Sequence, residues 1–275
     1  GAEKPDVGVV EELRRFNDAW PAKLKIDDPR FGIIRVLSLL KLDHPGLEKV
    51  KAAAEAQRYD EAEQELLAYF KITRSAKEPV KTLGAQTRLH AYNALRHVFR
   101  GNGDVHPPVF RGARIDWTGR AFVDGKEIHD GEWYLQFQRL TWWPALAEAY
   151  SVTADERYFQ EWRCELVTWA EELLPFNRTT PGFVTRGMET DSRCGAHVDV
   201  LPHMIRSPGF DAKTLLYFLV SIHDQADHIT RVYAGQGNHR LTELRRSFCN
   251  GVDFPEFKRS EGWIQDALTL LPPMI

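Results

Sequence analysis

The chain has 275 residues, 43% of them hydrophobic, which is enough for one large core or two small ones and too apolar for a disordered polypeptide. A formal charge of -3 and a pI near 6.4 exclude a globally basic surface of the kind nucleic acid selects, so any anionic ligand must be met by a local cluster. Three scattered cysteines, Cys164, Cys194 and Cys249, make neither a disulfide framework nor a zinc motif and read as small core residues, and no run reaches the length of a membrane span.

Val9, Val10, Leu13 and Phe16 form one stripe of an amphipathic helix expected between Gly8 and Trp20, where Pro21 stops it. Between Pro45 and Lys71 a helical pair is expected, with Leu47, Val50 and Ala54 on one arm, Ala62, Leu66, Leu67 and Phe70 on the other, and Tyr59-Asp60 as the turn. A further helix fits Gln86 to Arg100. Gly101-Asn102-Gly103, Pro107-Pro108 and Gly112 then break any helix, while Val109-Phe110 and Arg114 to Trp117 alternate like short strands. Residues 101–131 therefore read as a long connecting segment with at most a small ribbon, and connections of that length are usually functional or packed over a groove.

From Trp133 onward strand signal nearly vanishes. Helices are expected over Trp133 to Tyr150, Asp155 to Leu174, Arg186 to Ile205, Ala212 to Tyr233, Asn238 to Asn250 and Pro255 to Leu271. Short breaks between them favour antiparallel hairpins, so the expected fold is all-α, a single domain whose residues 132–275 form an incomplete α/α toroid preceded by leading helices over 1–100.

Polar chemistry gathers in four places. Asn238 and His239 follow Gly235-Gln236-Gly237 at a helix start, where free N–H groups and partial positive charge suit an anion, although an N-cap Asn reads the same way. Leu241, Leu244, Phe248 and Val252 would pin that helix to a core. Glu189 and Arg193 share a helix face at i,i+4, as a surface ion pair also would, whereas Asp191 diverges from Glu189 and makes a poor acid–base partner for it. Arg139 lies among Trp133, Tyr134, Phe137, Trp142 and Trp143, placed either to clamp a carboxylate or to snorkel from a crowded core helix. His223 with Asp227, and Asp224 with His228, have a metal-compatible spacing that a solvated ion-paired face shares, and no third ligand accompanies them.

These pieces fall in an order that resembles the heparinase II/III family of polysaccharide lyases. Gln138-Arg139, Trp142-Trp143 and Leu146 to Tyr150 resemble the helix that opens its toroid, and Thr153 to Tyr158 its following hairpin. Met188-Glu189 with Arg193 is similar to its Glu-x-x-x-Arg helix. Asn238-His239 with Glu243, then Phe254-Pro255-Glu256 and Trp263, resemble its Asn-His helix and Phe-Pro-Glu turn. Gln138 stands where the family often has Asn. The resemblance implies β-elimination on a uronate-containing glycan of the heparan sulfate or alginate kind, without a cofactor or metal. It implies that Asn238 neutralises the uronate carboxylate and that His239 assists or acts as base. Arg139, Glu189, Arg193, Trp142, Trp143 and Glu243 would bind substrate. It further implies a periplasmic or secreted location, an acidic polysaccharide as partner, and a C-terminal β-sandwich that would follow Ile275 together with a catalytic Tyr. The alternatives are a helical scaffold that binds glycan without catalysis, and an α/α-toroid glycoside hydrolase.

Overall fold

A computed structural model describes residues 24–76, 78, 80–101 and 105–271, so the helix expected over Gly8–Trp20 lies outside the described residues. The leading segment runs through a 3-10 turn at Pro29–Phe31 and helices α1 (Ile33–Leu39), α2 (Glu48–Glu55), α3 (Tyr59–Arg74) and α4 (Ala85–Ala94). The α2–α3 hairpin is the expected one, but its turn comes earlier. Gln57 takes a left-handed conformation at φ 57°, and Tyr59 already opens α3. Helix α4 stops six residues short of Arg100, because His97 turns left-handed at φ 51° and Val98–Phe99 becomes a strand, β1.

Two ribbons occupy the connecting segment. Strand β1 pairs antiparallel with β2 (Val109–Phe110), and β3 (Phe122–Val123) pairs with β4 (Lys126–Glu127) around Asp124-Gly125, both at positive φ as a tight hairpin turn demands. The strand expected at Arg114–Trp117 is instead a turn. There the Arg111 guanidinium donates to the carbonyls of Asp116, Gly119 and Arg120 and occupies the groups a strand partner would need. Gly101 closes this segment onto the helices: a Cβ there would sit 2.3 Å from Trp133 Cδ1.

The helical region comprises α5 (Gly131–Phe137), α6 (Trp143–Thr153), α7 (Glu156–Leu173), the single turn α8 (Gly182–Thr185), α9 (Gly187–Met204), α10 (Ala212–Ile229), α11 (Gly237–Asp253) and α12 (Ser260–Leu270). The one long helix expected over Trp133–Tyr150 is broken in two. Leu140 adopts φ 53°, and Pro144, which lacks an N–H, fits only in the first turn of the new helix α6. Helices α6 and α7, α9 and α10, and α11 and α12 pack as successive hairpins, while α6, α9 and α11 touch in sequence as one row and α7 meets α10 in the other. This is the incomplete α/α toroid.

Helix α10 is its centre, apolar nearly all round. Leu215, Phe218, Leu219 and Ile222 are fully buried, and Asp211 caps the helix through Oδ1 to the Thr214 N–H at 2.8 Å. Each such side chain contributes about 1.5–3 kcal/mol by leaving water, against about 0–1 kcal/mol for an exposed ion pair, so burial and not surface charge holds the hairpins together. The Phe254-Pro255-Glu256 turn ties the leading helices on. Glu256 accepts from Tyr69 Oη at 2.8 Å and from Arg74 at 2.6 Å, and its carbonyl accepts the Lys41 N–H at 2.7 Å.

Candidate functional site

Helix α9 begins with a buried carboxylate held between two arginines. Glu189 is fully shielded from solvent. Arg186 donates Nε to Oε2 at 2.5 Å and an Nη to Oε1 at 2.7 Å, and Arg139, from the kink between α5 and α6, donates to Oε1 at 3.0 and 3.2 Å. Burial opposes the charge of Glu189, but hydrogen bonds from Arg186 and then Arg139 outweigh it and hold the pKa below the ordinary value. The kink that sequence periodicity missed is what swings Arg139 to this position. Each guanidinium spends only part of its donor fork on Glu189, and both side chains keep some exposure, 19% for Arg139 and 40% for Arg186. Arg186 is a site residue the sequence reading passed over. The available signal was its place three residues before Glu189, within reach on one helical turn.

Helix α11 packs its first turns against this clamp. A Cβ on Gly187 would lie 2.2 Å from Glu243 Oε1, so the start of α9 is open to Glu243 only because residue 187 is glycine. Glu243 is buried and accepts the Ala234 N–H at 2.7 Å. Burial raises its pKa, and the neighbouring charges of His239, Asp191 and Glu189 all reach it. Arg139, Glu189, Glu243 and His239 therefore lie along one continuous chain of neighbours. Asn238 precedes His239 in the first turn of α11. It is not the N-cap, which is Gln236. Both Asn238 and His239 are exposed, and neither side chain makes a hydrogen bond among the described residues. Tyr233, just before this helix, is half-buried and donates to Ser247 Oγ at 2.7 Å.

Three expected substrate-binding residues belong to the core instead. Arg193 is fully buried: it donates to Gln225 Oε1 at 2.6 Å, to the carbonyls of Gln138 and Val184, and to Thr190 Oγ1, with its guanidinium 4.9 Å from the Trp169 ring centroid. Its four-residue spacing from Glu189 does not bring the two into a pair. Each faces a different neighbouring element. Trp143 is fully buried and Trp142 nearly so, and both indole N–H groups donate to Glu165 Oε2, at 2.6 and 2.7 Å. Burial, with Glu161 beside it, pushes the Glu165 pKa well above its ordinary value, while the two indole donors act in the opposite direction. Gln138 is likewise structural, bridging the Trp117 carbonyl and Trp169 Nε1.

The i,i+4 pairs on α10 are not made. His223 meets Asp224, Asp227 takes Arg231 and Arg259, and His228 meets the Thr185 carbonyl, so these side chains are committed elsewhere and do not support the metal reading. The expected apolar stripe of α11 holds only at Leu244. Phe248 and Val252 are exposed at 38% and 54%, and the packed face is Glu243, Leu244, Ser247, Asn250 and Gly251.

A double row of helical hairpins carrying a polar cluster on its α6–α9–α11 row defines a helical-toroid scaffold. The chain belongs to the heparinase II/III family: the profile described as Heparinase II/III N-terminus matches residues 36–275. It is 34% identical over 252 residues to a heparin-sulfate lyase of Pedobacter heparinus, covering 84% of this chain and 36% of that protein. A heparin-sulfate lyase of Bacteroides stercoris is 30% identical over 258 residues, covering 86% and 38%. The crystal structure of a heparan sulfate lyase from Pedobacter heparinus superposes with a TM-score of 0.76 at 33% identity, over 86% of this chain and 38% of that one. The chain thus spans somewhat over a third of the length of these relatives. No described helix is long and apolar enough to cross a membrane.

Proposed function

We propose that the chain is the helical, substrate-holding part of a polysaccharide lyase that cleaves a uronate-containing glycosaminoglycan of the heparan sulfate kind by β-elimination. The similar proteins are named for heparin sulfate, which favours that glycan over alginate. The observation that carries the reading is the pairing of a buried Glu189, clamped by Arg139 and Arg186, with an exposed Asn238-His239 whose side chains make no hydrogen bond among the described residues, at the start of the neighbouring helix.

The C5 proton lies α to a carboxylate, so removing it builds enolate-like charge that aimed donors must stabilise. In this reading the Asn238 amide and the N-terminal N–H groups of α11 take the carboxylate, and His239 assists them or receives the proton. The unspent N–H groups of Arg139 and Arg186 hold a neighbouring anionic group. Glu189 and Glu243 position the site and do not touch substrate, which corrects the expectation that they bind it. A glycoside hydrolase finds less support, because Glu189 has both oxygens occupied by arginines and so lacks the freedom of a paired acid or base.

A polymeric glycan substrate goes with a periplasmic or secreted location, which we include in the proposal. Incubation with heparan sulfate and alginate, following the near-ultraviolet absorbance of the 4,5-unsaturated uronate, tests the reaction. Slow release from heparan sulfate that vanishes in Asn238→Ala supports it. Saturated reducing ends, or release unaffected by Asn238→Ala, would overturn it. A proton relay is worth about 10²–10⁴-fold, so a chain extended to the relatives' length is expected to outpace these 275 residues by a factor of that order if the relay lies in the added part.

A further inference from the structure

Arg186 projects from a junction that local structure alone holds weakly. Helix α8 (Gly182–Thr185) is a single turn, which fixes its dihedrals for almost no hydrogen bonding and so depends on outside partners. Its last carbonyls, like those of any helix end, lack a partner within the helix. Two side chains from the packed hairpins supply them. Arg193 on α9 donates Nη2 to the Val184 carbonyl at 2.7 Å, and Nε2 of His228, on the last turn of α10, lies 2.7 Å from the Thr185 carbonyl. A carbonyl only accepts, so His228 donates from Nε2.

The Thr185 carbonyl is one end of the planar peptide unit whose other end is the Arg186 N–H. His228 holds the oxygen, and the Gly182 carbonyl accepts the N–H at 3.0 Å. The next unit is held as well: the Arg186 carbonyl accepts the Thr190 N–H at 3.1 Å and Thr190 Oγ1 at 3.0 Å. Both peptide planes flanking the Arg186 Cα are thereby fixed, which sets φ at -61° and ψ at 141° and with them the direction of its side chain. From that position the guanidinium reaches Glu189 at 2.5 and 2.7 Å. Gly182 and Thr190 are near neighbours in sequence, whereas His228 ties the junction to α10. The His228 ring is seated edge-on against Phe176, with centroids 4.7 Å apart. Burial lowers its pKa, the Thr185 bond and the Asp227 charge oppose this, and the Arg193 and Arg231 charges add to the lowering, so the neutral ring protonated at Nε2 is favoured.

We propose that His228 is a positioning residue of the glycan site, acting through the Thr185 carbonyl to aim Arg186 at an anionic substituent of the ligand. The role rests on the glycan reading above, in which the unspent N–H groups of Arg186 meet that substituent. A guanidinium binds an anion through a directional fork, so a tilted side chain loses affinity even while its charge stays nearby.

Calorimetric titration of the 275-residue chain and its variants with a heparan sulfate tetrasaccharide tests this, with thermal unfolding of each variant to confirm folding. Arg186→Ala is expected to weaken binding roughly tenfold, the worth of one charge-assisted hydrogen bond. His228→Ala is expected to weaken it by up to about that factor, and the double variant to bind no more weakly than Arg186→Ala alone, because the imidazole acts through Arg186. His228→Met fills the space beside Phe176 without a donor and is expected to weaken binding as His228→Ala does, which separates loss of the bond from loss of packing. His228→Gln carries an amide N–H near the place of Nε2 and is expected to restore most of the affinity. Unchanged affinity in His228→Ala and His228→Met, or weakening that multiplies with that of Arg186→Ala in the double variant, overturns the positioning role and leaves the glycan reading standing. A His228→Gln protein that binds no better than His228→Met overturns it as well, as does unchanged affinity in Arg186→Ala. No tetrasaccharide binding by the unaltered chain overturns both readings.

Discussion

Helices α9 and α11 both begin in crowded polar sequence, yet they solve opposite problems. At the start of α9 every charge is answered: Glu189 is buried between Arg139 and Arg186, and Asp191 meets Arg246 at 3.1 Å. At the start of α11, Asn238 and His239 stand exposed with no partner among the described residues. A satisfied cluster fixes geometry, and an unsatisfied one keeps donors free for a ligand. The two sit against each other through Gly187 and Glu243, so the first braces the second.

If that division is right, substitutions on the satisfied side change stability. The largest effect is expected from Arg193→Ala, which removes a fully buried guanidinium and strands Gln225 Oε1 and the carbonyls of Gln138 and Val184. A loss of about 3–5 kcal/mol is expected in denaturant unfolding. A loss under about 1 kcal/mol would return Arg193 to the substrate-binding role first expected of it.

Glu189→Gln comes next, with a loss of about 2 kcal/mol near neutral pH as two charge-assisted partners are weakened. Its pH dependence sharpens the point. The folded pKa of Glu189 is depressed, so its contribution is present above the unfolded value, about 4.3, and disappears as pH falls through the lower folded value. The stability gap between native and Glu189→Gln proteins should therefore close in acid. Asp191 and Glu243 shift the other way, raised chiefly by burial, and their contributions are present in acid and fade as pH rises through their folded values. A gap that widens in acid would mean that the clamp does not hold Glu189 ionised.

A smaller loss, about 1–2 kcal/mol, is expected for Glu256→Gln, which weakens the ties from Tyr69 and Arg74 without touching the site. Unfolding followed separately in the leading helices and in the toroid would show whether the loss is local to that seam.

The architecture was legible because hairpin periodicity and short breaks are local signals. Five of the helices from Asp155 onward appear near where the pattern puts them, and Asp155 and Asp211 cap as their positions suggest. What periodicity misread were choices made by tertiary contacts. Leu140 and Pro144 split one apparent helix in two, and Arg193 and the Trp142-Trp143 pair were drawn into the core by partners remote in sequence. Spacing of i,i+4 states which side chains share a helix face. It does not state which neighbours that face meets, and Glu189 and Arg193, both buried on one element, take different partners.

Asn238→Ala tests the contrast between the two helix starts most directly, because it is expected to have the smallest effect on folding and the largest on function. The measurement is a paired one on the same preparation: thermal unfolding, and release of unsaturated uronate from heparan sulfate together with tetrasaccharide binding. An unchanged melting temperature is expected, with release reduced by about 10²–10³-fold, the worth of one donor aimed at developing charge. A protein that melts earlier while binding and releasing product as before would show that Asn238 serves the helix and not the glycan.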